Sequence, residues 1–309
     1  MKILGINISH DFSICVYENK IIKEIYFEER FVQEKNFIIQ NKENFYNCIF
    51  KKINFKPEIV VYSSFQRLLD NEIKDEQIIQ QIQKQLDNPV YYFNKKNHHI
   101  YHACSSFFFS KFEEAMSIVI DGGGACPLER NYREIQSIFY INKKNIYTIF
   151  QHLSNYKSLL LPKNFEDEYS NLITNIYKKG TEFYCSSLCI GGLDFIRACN
   201  KINLKNEPGK LMGLASYGST EQKYNLDYNN VDAAKKIQEK SFKETCVLIE
   251  KAYNYKKIKN FVLSGGYFLN CSNNFKYVKK YPEFNFFVDP DPSDGGTALG
   301  ACVYYDSYK

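Results

Sequence analysis

His98-His99-Ile-Tyr-His102-Ala-Cys-Ser-Ser-Phe107-Phe-Phe-Ser-Lys-Phe-Glu-Glu-Ala-Met116-Ser-Ile-Val-Ile120-Asp121-Gly122-Gly123-Gly124 is the stretch whose reading decides the fold. Histidines four apart on a helix share one face, a turn from each other, and so suit a single transition-metal ion. Met116 to Ile120 is apolar and β-branched, the pattern of a buried strand. That strand delivers Asp121 at its C-terminal end, and three glycines follow at once. An acid there, followed by backbone that can approach an anion closely, is what a phosphate-handling metalloenzyme needs. A surface HxxxH pair and an ordinary glycine turn are the plain alternatives, and the coupling of the two features is what argues against them.

Working outward, the N-terminal segment predicts three strands, Ile3–Ile8, Phe12–Tyr17 and Ile21–Phe27. Ser9-His10-Asp11 forms the first turn, where side chains and amides can face a ligand or simply meet solvent. The charged cluster Glu28-Glu-Arg-Phe31, with Lys35, follows the third strand. A helix over 43–54, a strand over 59–62, apolar residues at helical spacing from Ile73 to Leu86 and a strand over 90–93 complete an α/β alternation before the histidine helix. After Asp121 a second cycle begins with a hairpin, 135–141 and 146–150, around Asn142-Lys-Lys-Asn145. Helices are expected over 166–179, 192–200 and 231–255, and a glycine-punctuated loop carrying Lys210 over 207–218. The strand Phe261–Ser264 ends in Gly265-Gly266, and the next helix begins with Tyr267–Asn274, including Asn270. Such a junction points amides at a phosphate or ribose. A strand over 285–288 leads to Asp291-Pro-Ser-Asp294-Gly-Gly296, which opens a small-residue helix from Thr297. Asp294 either caps that helix or supplies a further carboxylate ligand. One layout therefore appears twice, which predicts an α/β chain of two similar actin/Hsp70-like (ASKHA) subdomains with a nucleotide cleft between them.

The composition is that of a globular chain: of 309 residues, 44% are hydrophobic and 24% charged, which argues against disorder. A net charge of +5, spread in short runs such as Lys256-Lys257 and Lys279-Lys280, is compatible with a nucleic-acid footprint but does not indicate one. The ten cysteines contain no CxxC pair, although Cys185 and Cys189 are four apart. Without an apolar leader ahead of the first strand, reduced thiols in a cytoplasmic protein are expected. No apolar run is long enough to span a membrane.

Seven blocks in order give a more specific match. They are Gly5-Ile-x-x-x-His10-Asp11, Glu28-Glu-Arg-Phe31, His98-His-x-x-His-Ala103, Ile120-Asp-Gly122, Lys210-x-Met-Gly-Leu-Ala-x-Tyr-Gly218, Ser264-Gly-Gly-x-x-Leu-Asn-Cys271 and Asp294-Gly-Gly-x-Ala-Leu-Gly300. Over essentially its whole length the chain resembles the N-terminal catalytic domain of the NodU/CmcH-type O-carbamoyltransferases. The resemblance implies a divalent transition metal, iron foremost, held by His98, His102, Asp121 and Asp294. Spacing alone does not choose among iron, manganese and zinc. The resemblance also implies a reaction in which carbamoyl phosphate and ATP give carbamoyl adenylate, whose carbamoyl group passes to an acceptor hydroxyl with release of AMP. His10 is then the general base and Asp11 its orienting partner. Lys35 would hold substrate, and Gly122, Gly123, Lys210, Gly265, Gly266, Asn270 and Asn274 the nucleotide and its phosphates. The expected boundaries are 1–120 for subdomain I, 121–293 for subdomain II, and 294–309 packing back near the first. The family continues into a YrdC-like domain that makes the adenylate. This sequence ends at Lys309, so that step is expected from a separate chain, the alternative being that the activity is lost or changed. Ser9 also stands where the family often has a second histidine. The acceptor is a small molecule or nucleotide bearing a hydroxyl, and a homodimer is compatible with the sequence. Competing readings are a threonylcarbamoyl-type transferase acting on tRNA and a non-catalytic, nucleotide-binding regulatory subunit.

Overall fold

Strand β1 (Lys2–Asn7) is buried at every position after Lys2, and this sets it at the centre of a sheet. The computed structural model describes residues 1–8, 11–33, 56–63, 86, 90–94, 97–125, 132–155, 174–178, 181–186, 192–204, 207–219 and 230–309. β1 pairs antiparallel with β2 (Ser13–Glu18), and β2 with β3 (Ile21–Phe27). On its other edge β1 runs parallel to β4 (Ile59–Ser63), and β4 to β5 (Val90–Phe93). The order of the first sheet is thus β3-β2-β1-β4-β5.

The second sheet repeats this plan. β6 (Glu114–Ile120) is its centre, antiparallel to β7 (Tyr132–Asn142), which turns through Asn142–Asn145 into β8 (Ile146–Asn155). Parallel to β6 lies β11 (Asn260–Ser264), and beyond it β12 (Asn285–Val288). β9 (Thr174–Lys178) and β10 (Thr181–Ser186) extend the β8 edge, giving β12-β11-β6-β7-β8-β10-β9. Strands β8-β7-β6-β11-β12 therefore match β3-β2-β1-β4-β5 in order and direction. β6 is covered on both faces, as expected for the centre of such a sheet. Met116, Ile118 and Ile120 join one core cluster, while Ala115 and Val119 face others.

Helix α1 (Glu28–Val32) follows β3 directly, and α2 (His98–Ser110) follows β5. In the second half come α3 (Gly192–Lys201), α4 (Pro208–Leu214), the 27-residue α5 (Asn230–Lys256), α6 (Cys271–Lys280) and α7 (Thr297–Tyr308). The two helices that close the repeats are exchanged between the sheets. α2, the last element of the first repeat, packs on β6, β7 and β11, whereas α7 packs on β1, β2 and β4. They also cross each other, with Tyr101 and Cys104 of α2 meeting Leu299, Cys302 and Val303 of α7 in one core. Their backbones come so close that a Cβ on Gly300 would lie 1.8 Å from the Tyr101 carbonyl oxygen. This crossing sets the start of α2 against the turn that precedes α7.

Two sequence expectations are corrected. Thr174–Lys178, expected within a helix, is strand β9, because it pairs antiparallel with β10, Lys178 opposite Thr181. The segment 207–218, expected as a loop, is mostly helical: Pro208 starts α4, buried Leu211 anchors it, and a 3₁₀ turn, Ala215–Tyr217, ends it. Its glycines 209 and 213 sit where a side chain would meet no described atom, so they mark exposed helix rather than a bend. The expected helices at 43–54 and 73–86 lie outside the described residues, apart from Leu86, which is in a turn.

Candidate metal centre

The i, i+4 spacing on α2 brings the rings of His98 and His102 to 4.9 Å between centroids, nearly perpendicular. Both are buried. Asp121 leaves the end of β6, with its amide held by the Ile135 carbonyl. Asp294 stands in the 3₁₀ turn that opens α7, where Ser293 rather than Asp294 supplies the side-chain cap. His98 Nε2 lies 3.3 Å from Asp121 Oδ2 and 3.4 Å from Asp294 Oδ1, and His102 Nε2 lies 3.5 Å from the same Asp294 oxygen. One ligand atom from each of the four residues falls within 4.8 Å of the others.

Burial by itself lowers the pKa of His98, but the carboxylates of Asp294 and Asp121 outweigh it and hold the ring well above its ordinary value. Burial and the Asp294 charge raise the Asp121 pKa, and the hydrogen bond from His98 with the charge of His102 brings it below the usual carboxylate range. The site thus gathers two acids and two imidazoles in a volume with little room for water. A proton on His98 is one way to balance those charges, and a divalent cation is another.

The surroundings of His102 test the second possibility. Its Nδ1 is 3.3 Å from Ser264 Oγ, and Ser264 donates to Asp289 Oδ2 at 3.3 Å. An Nδ1–H directed at Ser264 would leave the lone pair on Nε2, a buried nitrogen that makes no hydrogen bond. Ligand histidines are oriented in this way by a partner on the other ring nitrogen. The donor set, imidazole plus carboxylate, suits a divalent first-row transition metal. The residues present fit such an ion. Neither Ser264 nor Asp289 has a local sequence signal of a ligand support: Ser264 precedes the Gly265-Gly266 junction and Asp289 follows β12.

The other candidate residues fall as follows. Asp11 is nearly buried in a left-handed conformation (φ 69°), and its carbonyl accepts from Asn7 Nδ2 at 3.0 Å. It lines a cavity of about 480 Å³ with Glu29, Arg30, Asp291 and Gly295. Gly122 and Gly123 follow Asp121, with open space at Gly123 among the described residues. Gly265 has φ +96°, and a Cβ there would meet the Ile120 carbonyl oxygen at 2.2 Å, so glycine is required where β11 passes β6. The Gly266 amide reaches Asp121 Oδ1 at 3.4 Å. Asn270 exchanges amide hydrogen bonds with Gln238 and caps α6 through Asn273 N, and Asn274 donates to the Phe268 carbonyl. Lys210 is exposed and pairs with Glu207. His10 and Lys35 lie outside the described residues, as does Cys189.

No protein-family model matches the sequence, and no curated protein sequence matches it either. Solved structures do match. Full-length HypF in its phosphate- and nucleotide-bound form is 16% identical, with a TM-score of 0.63 over 99% of this chain and 55% of that one. HypF from T. kodakarensis is 12% identical, with a TM-score of 0.58, covering 99% of this chain and 48% of that one. A ROK-family glucokinase from Streptomyces griseus, in complex with glucose and AMPPNP, is 11% identical, with a TM-score of 0.53, covering 98% of this chain and 99% of that one. The chain thus spans about half the length of the HypF structures. At these identities the likeness concerns the fold, which is the α/β ASKHA architecture expected from the duplicated layout.

Proposed function

We propose that this protein is a metal-dependent O-carbamoyltransferase. The observation that carries the reading is the convergence of His98, His102, Asp121 and Asp294, from three distant stretches, at the crossing of α2 and α7. These four side chains would hold a divalent transition metal, for which iron is our choice. Such an ion, when bound, supplies Lewis acidity toward a phosphate or carbonyl oxygen.

The chain's own residues do the rest. His10 takes the proton of the acceptor hydroxyl as its oxygen bonds to the carbamoyl carbon of carbamoyl adenylate, and the bond from that carbon to the AMP phosphate breaks. General-base assistance of this kind contributes about 10²–10⁴-fold. Asp11 orients His10 or the acceptor. The amides of Gly122 and Gly123 and the Gly265-Gly266 junction would serve the phosphates and nucleotide, with Lys210 and Asn274 beside them and Lys35 serving substrate, whereas Asn270, taken up by Gln238 and Asn273, would act by holding α6 in place. Carbamoyl adenylate itself comes from carbamoyl phosphate and ATP at a YrdC-like active site. Among the described residues no helix is long and apolar enough to cross a membrane.

The test is incubation with carbamoyl phosphate, ATP, Fe²⁺ and a YrdC-like protein across a panel of hydroxyl acceptors. AMP release that requires acceptor, and that His102→Ala abolishes together with metal content, is the expected result. Full release from metal-free protein refutes the scheme. Acceptor activity confined to tRNA would instead identify a threonylcarbamoyl-type enzyme, and nucleotide binding without turnover a regulatory subunit.

A further inference from the structure

Helix α2 begins without a cap from its own neighbour, because the Asn97 side chain makes no cap hydrogen bond. The first amides of a helix have no intrahelical partner and need one from elsewhere. Glu134 of β7, thirty-five residues away, provides it: its Oε1 accepts from His99 N at 3.0 Å. The same oxygen accepts from Ala125 N at 3.1 Å, and Oε2 accepts from Gln151 Nε2 at 2.7 Å. The backbone of Glu134 also binds this loop in both directions, its carbonyl taking the Gly124 amide and its amide reaching the Ala125 carbonyl. His99, between the two ligand histidines in sequence, is held by Ser137 Oγ, three residues further along β7. The packing is close enough that a Cβ on Gly124 would fall 2.6 Å from Glu134 Cγ and 2.9 Å from His99 Cδ2.

Burying a carboxyl group to 1% exposure is costly, and the bonds from His99 N, Ala125 N and Gln151 Nε2 offset that cost. The two amides that Glu134 joins belong to the two segments that deliver His98 and Asp121. We infer that Glu134 is a positioning residue for the metal centre: one carboxylate oxygen, shared between the start of α2 and the Asp121–Ala125 loop, fixes the separation of His98 from Asp121. This rests on the metal reading above. Backbone bonds hold the Asp121–Ala125 loop on β7, and His99 Nδ1 meets Ser137 Oγ, but the Glu134 carboxylate oxygen is what the first turn of α2 and this loop share as an acceptor.

The experiment titrates Co²⁺ into the full chain, following affinity and visible ligand-field bands, with far-UV circular dichroism as a check of folding. Glu134→Asp keeps the charge but shortens the reach, and Glu134→Gln keeps an acceptor oxygen at full length but loses the charge. The expected result is a folded Asp variant with shifted bands and affinity lowered about 10–100-fold, the range typical of residues that orient metal ligands. The Gln variant should keep the wild-type bands and most of the affinity. Wild-type bands and affinity in both variants would overturn the inference, as would a Gln variant impaired while the Asp variant is not, which would indicate charge instead of position. A wild-type chain that takes up no Co²⁺ would overturn the metal reading itself, a result distinct from any of these.

Discussion

Gly300→Ala probes the crossing on which the centre depends. The added Cβ would start 1.8 Å from the Tyr101 carbonyl oxygen and 2.5 Å from its carbon, where real Cβ contacts stay above 3.0 Å. Both neighbours are backbone within a helix, so no side chain can swing aside, and α7 must move from α2 by more than an ångström. Overpacking a core in this way costs about 1–3 kcal/mol. The displacement also acts on the ligands. Tyr101 lies between His98 and His102, and Asp294 lies six residues before Gly300 on the segment that α7 carries. Contacts of 3.4 and 3.5 Å from Asp294 to the two rings would open by a large fraction of the shift. Ligand positions in a metal site are held to within about 0.2 Å, so metal affinity should fall at least about tenfold, or 1.4 kcal/mol. Thermal denaturation of the metal-free protein and competition for metal against a chromophoric chelator measure the two effects. Gly213→Ala, in exposed helix α4, is the control and should stabilise by about 0.5–1 kcal/mol. A Gly300→Ala protein with wild-type melting temperature and metal affinity would refute the argument that close helix contact builds the site.

Three further outcomes are expected. Ser264→Ala removes the partner of His102 Nδ1 and should weaken metal binding about 10–100-fold while leaving the fold intact; isothermal titration of the variant checks this, and unchanged affinity would contradict it. Burial pushes the Asp289 carboxyl up to about 7, despite hydrogen bonds from Ser105, the Asp291 amide and Ser264. Because its folded pKa is raised, its contribution to stability is full below about pH 4 and is lost as pH rises toward 7. Asp289→Asn should therefore gain stability over wild type as pH increases from 5 to 8, by about 2–3 kcal/mol, seen in chemical denaturation of the metal-free proteins; a pH-independent difference would contradict it. Gly265→Ala, which forces a side chain into a left-handed position and against Ile120, should destabilise by more than the 1 kcal/mol or so of an ordinary glycine change, as read from the denaturation midpoint.

Much of this architecture was legible because its signals are local. The short apolar strands, the hairpin at Asn142–Asn145 and the recurrence of one layout after Asp121 are periodic features within a few residues of each other. The i, i+4 histidines and the acid at the end of β6 are likewise local patterns, and their convergence with Asp294 was anticipated from the resemblance and not from spacing. Elsewhere local signals misled. Glycines 209 and 213 suggested a loop, yet they occupy exposed turns of a helix that Pro208 starts and Leu211 anchors. Thr174–Lys178 sat within an apparent helical window, and only its pairing with β10 decides its state. The exchange of α2 and α7 between the sheets, the support of His102 by Ser264 and Asp289, and the reach of Glu134 to His99 all join residues more than twenty positions apart. No window of sequence contains both partners, so nothing short of the folded chain reveals them.

Elemental analysis of the purified full chain, beside His98→Ala and Asp294→Ala, addresses the four-residue centre most directly. The account predicts one divalent transition-metal ion per wild-type chain and loss of that ion in both variants. Wild-type protein that stays metal-free after incubation with Fe²⁺, Mn²⁺ and Zn²⁺, or variants that retain a full equivalent, would contradict it.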